Sequence, residues 1–410
     1  MCMEILIVGA GAAGMMAAAT IAERGGKTEV CLVEKNAVLG RKVIISGGGR
    51  CNVTTADNDM ASLKRAYPRG WKFLRYAMHE FTPQEVYDWF EKRGIPLKYE
   101  GPKVFPVSNN GKDVTEMFER IFEQKGVEVL LKTSVDAVEK SGDGFEVVLN
   151  GEPRYCDKLI LTTGGHAYRH TGSSGDGYSF AQALGHSITP LAATLTSFSV
   201  WEDWVGKLAG VSIPEAKFKL VGKEKHEFTG AFLFTHKGVT GPGIFALSSL
   251  SAFENCDKDN HLKLFIDFVP GQDYQSLNEE ILRRIEESPL KNLLHNLRGF
   301  VPKSVLSLLL ARLGVDEGRK SSEITKKDLN RCIEALKNFE LTLCERTPGA
   351  EIVTAGGVAL SEVDTKTMES KICPGLSFGG ELLDIDGFTG GYNLQVAWAT
   401  GRLAGLSTLS

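Results

Sequence analysis

Short apolar runs alternate with small-residue helical patterns at the beginning of the chain. Residues 4–8 (EILIV) and 29–33 (EVCLV) each predict a short buried strand. Between them, the turn GAGAAG is followed by MMAAATIAERGG, which predicts a helix that stops at Gly25 and Gly26. A strand, a helix and a strand in this order indicate a βαβ unit with parallel strands.

Helix start signals and short strand patterns follow. Residues 82–85 (TPQE) combine a capping box with proline at the first helical position, which predicts a helix ending near Gly94. Another helix is predicted over 112–125. Over 127–149 the patterns VEVLLK, SVDAVEK and GFEVVL predict a small antiparallel meander, and YCDKLILTTGG then predicts a return to a core strand.

Strict alternation dominates between about residues 190 and 270. The segments KFKLV, GAFLFTH and HLKLFIDFV have period two and predict a β-barrel or sandwich. From a capping box at 276–279 (SLNE) to residue 338, the apolar residues instead recur at helical spacing. After it, FELTL predicts a strand that rejoins the β region.

This order of patterns predicts an α/β protein whose domains are nested. A Rossmann-like domain is expected over 1–190 and 350–410, and a β-barrel domain over 191–272 and 339–349. A helical insertion over 273–338 completes the chain of 410 residues. Such a length exceeds the roughly 250–300 residues at which one hydrophobic core stops growing, so several domains are expected.

Composition and charge narrow the class of partner. The net charge is −4 and no dense stripe of Lys and Arg occurs, which argues against nucleic acid. No run of 18 apolar residues predicts a membrane span. The eight scattered cysteines show no C-x-x-C pair, so reduced thiols in the cytoplasm and no metal site are expected. The favoured partner is a small molecule, and the oligomeric state is left open.

Glycine is over-represented and clustered. The chain has 45 glycines, concentrated near residues 9–14, 47–49, 164–177 and 379–391. This share is above the usual ~7%. Because glycine permits close approach of backbone to another group, the clusters predict loops that cradle a ligand.

The first cluster has the spacing of a dinucleotide fingerprint. Gly9, Gly11 and Gly14 form G-x-G-x-x-G between a predicted strand and a predicted helix, and Glu34 ends the next strand. The second glycine admits a pyrophosphate to backbone N–H groups, while Glu34 is predicted to accept hydrogen bonds from ribose hydroxyls. The alternative is a tight turn that only packs a helix on a strand.

A second glycine-rich element appears near the end of the chain, in GLSFGGELLDIDGFTGGYNLQVAWATG. It predicts a strand at 376–378, an acid at Glu381 and a helix that starts near residues 393–395. Two separate cradles fit a long cofactor, FAD, better than NAD. Its adenosine would lie at Glu34, and the positive end of the last helix would face the electron-rich flavin edge.

Several longer motifs resemble one family. LGRKVIISGGGRCN, TGGHAYRHTGSSGDGYSFAQALGH, FTHKGVTGP, TAGGV, TMESK and GGELLDIDGFTGGYNLQ together resemble the BaiN-like (YhiN-like) NAD(P)/FAD-dependent oxidoreductases of the two-dinucleotide-binding flavoprotein superfamily. The resemblance covers nearly the whole chain. It implies a discontinuous Rossmann-like FAD domain, an inserted β-barrel domain and a helical domain nested within the barrel.

The motifs and the resemblance together give a set of predicted cofactor-binding residues. The resemblance implies that the SGGGRCN loop runs past the pyrophosphate toward the flavin, that Val135 pairs its backbone with adenine, and that residues 163–165 turn beneath FAD. The predicted FAD-binding residues are Gly9, Gly11, Ala13, Gly14, Glu34, Lys35, Arg41, Lys42, Ser46, Gly47, Gly48, Arg50, Asn52, Val135, Thr163, Gly164, Gly165, Gly380, Glu381, Gly391, Asn393, Leu394 and Gln395.

The catalytic candidates are less defined. His236 in FTHKGVTGP is predicted by the resemblance to approach the flavin and to exchange protons, the alternative being a loop anchor. His166 and His170 are weaker candidates. Cys51 stands alone where the disulfide reductases of the superfamily carry two cysteines, so a small buried side chain is favoured over a redox role.

The predicted activity is that of an FAD-dependent oxidoreductase. The flavin would pass hydride to a small or hydrophobic organic acceptor, with an activated carbon–carbon double bond favoured. NAD(P)H is the expected transient reductant, although no second G-x-G-x-x-G unit follows a strand. The alternatives are an oxygen-using oxidase of small amines and a non-enzymatic flavin-binding redox sensor. A tRNA-modifying flavoenzyme is disfavoured by the charge.

Overall fold

The computed structural model describes residues 2–409. These residues form two compact units. The first unit ends at Thr194 and resumes at Ile352, and the second comprises Leu195–Glu351.

The strands, in chain order, are β1 (Met3–Val8), β2 (Thr28–Glu34), β3 (Thr54–Thr55), β4 (Leu97–Glu100), β5 (Lys103–Pro106), β6 (Glu128–Leu131), β7 (Val135–Ser141), β8 (Gly144–Leu149), β9 (Glu152–Cys156), β10 (Lys158–Leu161), β11 (Ala192–Thr194), β12 (Phe198–Val200), β13 (Ser212–Val221), β14 (Lys225–Phe234), β15 (Gly238–Thr240), β16 (Leu262–Asp267), β17 (Phe339–Arg346), β18 (Val353–Ala355) and β19 (Leu376–Phe378).

The helices, in chain order, are α1 (Ala12–Arg24), α2 (Arg41–Gly49), α3 (Met60–Ala66), α4 (Trp71–Glu80), α5 (Pro83–Glu91), α6 (Lys112–Lys125), α7 (Asp176–Ala183), α8 (Pro242–Leu250), α9 (Tyr274–Glu287), α10 (Leu293–Asn296), α11 (Lys303–Leu313), α12 (Lys326–Lys337) and α13 (Tyr392–Ser407).

The first unit is built on a five-stranded sheet in the order β19-β10-β1-β2-β6, in which every pair is parallel. The predicted βαβ unit is therefore confirmed. Because parallel strands end at one edge, Gly9, Glu34, Thr162 and Gly379 all lie at or just after a carboxyl end there. In open α/β sheets, ligands bind outside this edge, where the strand order reverses.

Helices α1 and α13 pack closely in the same direction. A Cβ added at Gly401 would lie 2.2 Å from the carbonyl oxygen of Ala13, and one at Gly405 would lie 2.8 Å from that of Ala17. Contacts advance together along both helices, so the helices run parallel. The small residues of ATGRLAG thus allow the last helix to dock on the first.

The predicted meander needs a correction. The segment VEVLLK forms β6, which pairs in parallel with β2 and belongs to the main sheet. The antiparallel meander consists of β7, β8 and β9, so Val135 opens its first strand rather than its second. Strand pairing depends on long-range contacts that a short apolar run does not specify.

Among the predicted helices, those at 82–94 and 112–125 are confirmed as α5 and α6, and Thr82 and Glu85 form the predicted capping box. The start at residue 276 was wrong. Helix α9 begins at Tyr274 because the carboxylate of Asp273 accepts a hydrogen bond from the backbone N–H of Ser276 at 2.8 Å. An aspartate cap one turn earlier replaces the predicted serine cap.

The second unit contains a closed antiparallel barrel in the order β12-β15-β14-β13-β16-β17. Helices α9 to α12 lie between β16 and β17 in the chain. The segment FELTL forms most of β17 and pairs with both β12 and β16, as predicted. The predicted fold class, a Rossmann-like sheet with an inserted barrel, is confirmed. Within residues 2–409, no helix has the length and apolar character of a membrane span.

Candidate cofactor site

The three fingerprint glycines have different surroundings. A Cβ at Gly9 would lie 2.7 Å from the carbonyl oxygen of Thr162, and one at Gly14 would lie 2.0 Å from that of Gly9. At Gly11, no other heavy atom comes within 4 Å of an added Cβ. The outer two glycines therefore serve packing inside the protein, whereas the middle one leaves space where a ligand reaches the backbone.

The start of α1 offers hydrogen-bond donors to that space. Gly11 is the residue before the helix, and it provides no side-chain cap. The first intrahelical bond of the turn runs from the N–H of Met15 to the oxygen of Gly11 at 3.0 Å. The N–H groups of residues 12–14 thus point out of the helix, at its positive end, as in known phosphate sites. This group includes the predicted Ala13.

Glu34 lies at the end of β2 and is buried. Its Oε2 accepts a hydrogen bond from the N–H of Ala10 at 2.9 Å, and its Oε1 accepts from the backbone and side chain of Asn36 at 2.9 and 2.6 Å. The carboxylate therefore ties the glycine turn to β2. A carboxylate has about four acceptor positions, so these donors leave capacity for a ribose hydroxyl.

The residues after Glu34 hold a second glycine-rich loop, residues 164–176. Lys35 Nζ lies 2.6 Å from a carboxylate oxygen of Asp176, and the side-chain amide of Asn36 donates to the carbonyl of Thr171 at 2.9 Å. The segment leading to Val135 is also attached here, since Thr133 donates its N–H to the carbonyl of Glu34 at 3.0 Å. Glu34 and Lys35 are thus joined to this loop and to the segment that precedes Val135, and the adenine contact predicted for Val135 stays a prediction.

The segment Thr163–Gly164–Gly165 follows β10. The hydroxyl of Thr163 is buried without a hydrogen-bond partner among the described residues. The neighbouring Thr162, which the sequence reasoning missed, donates its hydroxyl to the carbonyls of Val8 and Gly9, both at 2.9 Å. The sequence signal that could have identified Thr162 is a hydroxyl residue directly after a predicted core strand. Thr162 holds the glycine turn against β10.

Helix α2 breaks at the glycine run of SGGGRCN. Ser46 has an extended ψ of 152°, and Gly47, Gly48 and Gly49 have φ values of 58°, 73° and 89°. Added Cβ atoms at Gly48 and Gly49 would meet nothing within 4 Å, whereas one at Gly47 would lie 2.8 Å from the ring of Phe105. At Gly47 the protein itself therefore requires glycine, and the cofactor contacts predicted for Gly47 and Gly48 stay predictions.

The residues after the glycine run contact other residues of the protein. Arg50 stacks 3.9 Å above the ring of Phe105 and pairs with Glu100 at 2.8 Å. Asn52 accepts a hydrogen bond from the N–H of Val104 at 3.3 Å. Cys51 is fully buried, and burial raises the pKa of its thiol to about 12. A protonated, enclosed thiol fits the structural interpretation better than the redox one.

The carboxyl-terminal cradle meets the amino-terminal one at Glu381. Its Oε2 lies 2.6 Å from Nζ of Lys42, 339 positions earlier in the chain, and its Oε1 accepts from the N–H of Thr354 at 2.9 Å. A Cβ at Gly165 would lie 2.8 Å from Oε1 of Glu381. The two separate glycine cradles therefore share one edge of one unit. Arg41, next to Lys42, is exposed.

The start of α13 is also uncapped by side chains, with Gly391 at φ 95° before it. The side chain of Asn393 clamps the backbone of Gly387 through bonds of 2.9 and 2.8 Å. Gln395 is fully buried between the hydroxyl of Thr54 and the carbonyl of Phe81, both at 2.7 Å. The backbone N–H of Gln395 also bonds within the helix, to the carbonyl of Gly391 at 2.9 Å, so the N–H groups that point out of the first turn are those of residues 392–394.

The catalytic candidate His236 belongs to the second unit. Its side chain is exposed in the turn between β14 and β15, where the N–H of Thr235 donates to the carbonyl of Gly238 at 2.8 Å. His166 lies in the first unit, and its N–H donates to the hydroxyl of Thr354 at 2.7 Å. Within residues 2–409, no group of three or more His, Cys, Asp and Glu side chains could hold a metal ion.

These features fit an extended dinucleotide. Open backbone occurs at Gly11, Gly48 and Gly49, a carboxylate stands at each end of the edge, and two helices present uncapped amino termini. The unpaired hydroxyl of Thr163 follows β10 at the same sheet edge. The fold and the site together define an α/β dinucleotide-binding protein.

A family model described as HI0933-like protein Rossmann domain matches residues 3–407. The chain belongs to this family of FAD-dependent oxidoreductases, the same group as the YhiN- and BaiN-like proteins.

Two kinds of curated relative match almost end to end. A 3-dehydro-bile acid Δ(4,6)-reductase of Clostridium scindens is 31% identical, with 98% of each chain covered. The ribosomal RNA dihydrouridine synthase of Escherichia coli is 30% identical, with 97% of this chain and 96% of the relative covered, and that of Haemophilus influenzae is 29% identical. These relatives reduce carbon–carbon double bonds.

Among solved structures, a 3-ketosteroid Δ1-dehydrogenase from Sterolibacterium denitrificans covers 98% of both chains, with a TM-score of 0.52 and 14% identity. At that identity, the similarity supports the fold alone.

Proposed function

We propose that this protein is an FAD-dependent reductase that saturates a carbon–carbon double bond conjugated to a carbonyl group. The observation that carries the proposal is the convergence of both glycine cradles on one sheet edge, joined by Lys42 and Glu381. The two kinds of relative support the acceptor class, because a 3-oxo Δ4,6 steroid and a uracil ring both contain such a double bond.

The chain would hold FAD along this edge. Backbone N–H groups at Gly11 and the start of α1 suit the pyrophosphate, and Glu34 suits the adenosine ribose. Glu381 is proposed for the ribityl hydroxyls, and the first turn of α13 for the electron-rich edge of the ring. When bound, FAD supplies two-electron chemistry, accepting and donating hydride.

Reduction of the double bond also needs a proton, which is added to the carbon next to the carbonyl. His236 is the proposed donor, because imidazole exchanges protons near neutral pH and the family resemblance directs its motif toward the flavin. NAD(P)H is the proposed reductant. It would bind transiently, since no second G-x-G-x-x-G unit follows a strand in this chain.

The two relatives suggest different substrates with the same reactive group. The dihydrouridine synthases favour a uridine in ribosomal RNA as a second candidate. The net charge of −4 argues against it, because RNA affinity depends largely on basic side chains that neutralise phosphates. A small hydrophobic enone is therefore the first choice.

Anaerobic titration of the purified protein with NADH and with NADPH tests the proposal. The flavin absorption band is expected to bleach with one or both. It should recover rapidly on addition of a 3-oxo Δ4,6 steroid and slowly in air. The reduced protein should also leave unmodified ribosomal RNA unchanged.

Several outcomes decide between the alternatives. Rapid recovery in air, with no turnover of the enone, would favour an amine oxidase. Formation of dihydrouridine would favour the RNA substrate. Protein that binds no FAD would exclude the whole proposal. A Gly11→Val variant serves as the matched control, since a Cβ at this position enters the space left for the cofactor and meets no protein atom within 4 Å.

A further inference from the structure

The segment before α4, residues 66–70, supports the loop that leads into α13. The carbonyl of Ala66 accepts a hydrogen bond from the N–H of Phe388 at 2.9 Å. The hydroxyl of Tyr67 donates to the carbonyl of Tyr392 at 3.0 Å. A Cβ at Gly70 would lie 2.6 Å from the side chain of Ile385, so the two segments are in close contact.

An ion pair anchors this contact. Asp386 is fully buried, and Nε and one terminal nitrogen of Arg69 each bind a different oxygen of its carboxylate. The backbones of the two residues also form an isolated antiparallel bridge. A bidentate guanidinium–carboxylate pair fixes both distance and orientation, and its geometry is most effective where water is excluded.

The segment between Asp386 and the start of α13, residues 387–391, has no regular secondary structure. It contains Gly387, Gly390 and Gly391, of which the last two have φ values of 129° and 95°. Regular structure resumes only at Tyr392. The loop before α13 is therefore held by the Arg69–Asp386 pair and by the Asn393 clamp on Gly387, which join the bonds of Tyr67 and Gln395 in holding the first turn of the helix.

We propose that Arg69 is a positioning residue for the cofactor: through Asp386 it fixes the uncapped amino terminus of α13 and cancels a negative charge beside it. The proposal rests on the proposed function, because it requires the flavin at this helix end. Without the guanidinium, the charge of Asp386 would oppose the positive end of the helix dipole, which favours electron-rich groups. The reduced cofactor should then be destabilised more than the oxidised one.

The test compares Arg69→Met with Asp386→Asn. In each variant, the FAD dissociation constant and the two-electron reduction potential of the bound flavin are measured. Arg69→Met should weaken FAD binding about tenfold, and binding of the reduced form by about a further tenfold, which lowers the potential by about 30 mV. Asp386→Asn removes the anion while the guanidinium of Arg69 keeps its charge, so this change should raise the potential.

The decisive result is a shift of the reduction potential in opposite directions in Arg69→Met and Asp386→Asn. A purely structural role predicts shifts in the same direction or no shift. Shifts of the same sign, or unchanged potentials in both folded variants, would overturn the inference. If one variant does not fold, Arg69→Lys replaces it. Lysine keeps the charge but not the two-pronged geometry, so FAD binding should weaken while the potential stays near the wild-type value. If the reduction potential of Arg69→Lys falls as low as that expected for Arg69→Met, in which the charge is lost, the inference is also overturned.

Arg93→Met is the matched control. Arg93 makes a similar bidentate pair with Glu23, at 2.8 and 2.6 Å, and Glu23 lies in the last turn of α1, far along the helix from Gly11. Its loss should change neither FAD affinity nor potential. Wild-type protein that binds no FAD would end the proposed function itself. Wild-type protein that reduces an enone, with unshifted potentials in the variants, would end only this inference.

Discussion

The glycine turn at residues 9–14 and the glycine run at residues 47–49 are alike in composition but differ in what requires the glycine. In the turn, added Cβ atoms at Gly9 and Gly14 would lie 2.7 and 2.0 Å from carbonyl oxygens of the protein. In the run, Gly48 and Gly49 face open space but have φ values of 73° and 89°. Packing requires glycine at Gly14 and, together with a φ of 97°, at Gly9, whereas backbone conformation alone requires it at Gly48 and Gly49.

This comparison predicts its largest effect at Gly14. The change Gly14→Ala places a methyl group against the carbonyl of Gly9, and the helix and strand must separate to admit it. The expected loss in unfolding free energy is about 3 kcal/mol, measured by denaturant unfolding of the cofactor-free protein. Gly11→Ala is the control and should change stability by at most about 0.5 kcal/mol. Equal losses in both would contradict the assignment of roles.

The next effect concerns ligand binding rather than folding. Gly11→Val should leave the unfolding transition near that of the wild type, because Gly11 has a φ of −76° and open space around it. The side chain should displace the pyrophosphate from its backbone donors. Losing about two charge-assisted hydrogen bonds corresponds to an affinity loss on the order of 100-fold, measured by calorimetric titration with FAD. A variant purified fully yellow would contradict this prediction.

A smaller effect on stability is expected in the glycine run at residues 47–49. Gly48→Ala should cost about 1 kcal/mol through the left-handed backbone alone, and denaturant unfolding measures it. Gly48→Asn should cost less, because asparagine tolerates this conformation better than alanine. If alanine and asparagine cost the same, backbone conformation is not what requires glycine at this position.

The smallest effect is expected at Cys51, which follows the run. Burial raises the pKa of its thiol to about 12, so even at pH about 9 only a very small fraction of the thiol is ionised, and the enclosed sulfur should stay unlabelled in the folded protein. The exposed Cys2 should react. Peptide mapping by mass spectrometry distinguishes the two. Rapid labelling of Cys51 would reopen the redox interpretation.

Local signals predicted many elements of this fold. The capping box at residues 82–85 predicted α5, and the alternation in KFKLV and HLKLFIDFV predicted barrel strands. The same kind of signal misplaced the start of α9, because Asp273 and Ser276 are both acceptable caps and only the formed helix shows which one is used.

At the site, the spacing of the glycines and the acids predicted which segments converge, and the cofactor assignments of these residues stay proposals. The sequence did not distinguish Gln395, whose amide is used inside the core, from its neighbours at the start of α13. Its burial depends on Thr54 and Phe81, which lie more than 300 positions earlier in the chain. A pattern of neighbouring residues cannot predict contacts with partners so distant in sequence.

By itself, the sequence determined what depends on near neighbours: the period of the strands, the caps of the helices and the positions where only glycine fits a tight turn. Tertiary structure alone decided that β6 joins the main sheet, that Lys42 meets Glu381 and that Arg69 meets Asp386. The physical reason is that these pairings follow from packing free energy summed over the whole unit, and no short stretch of chain contains both partners.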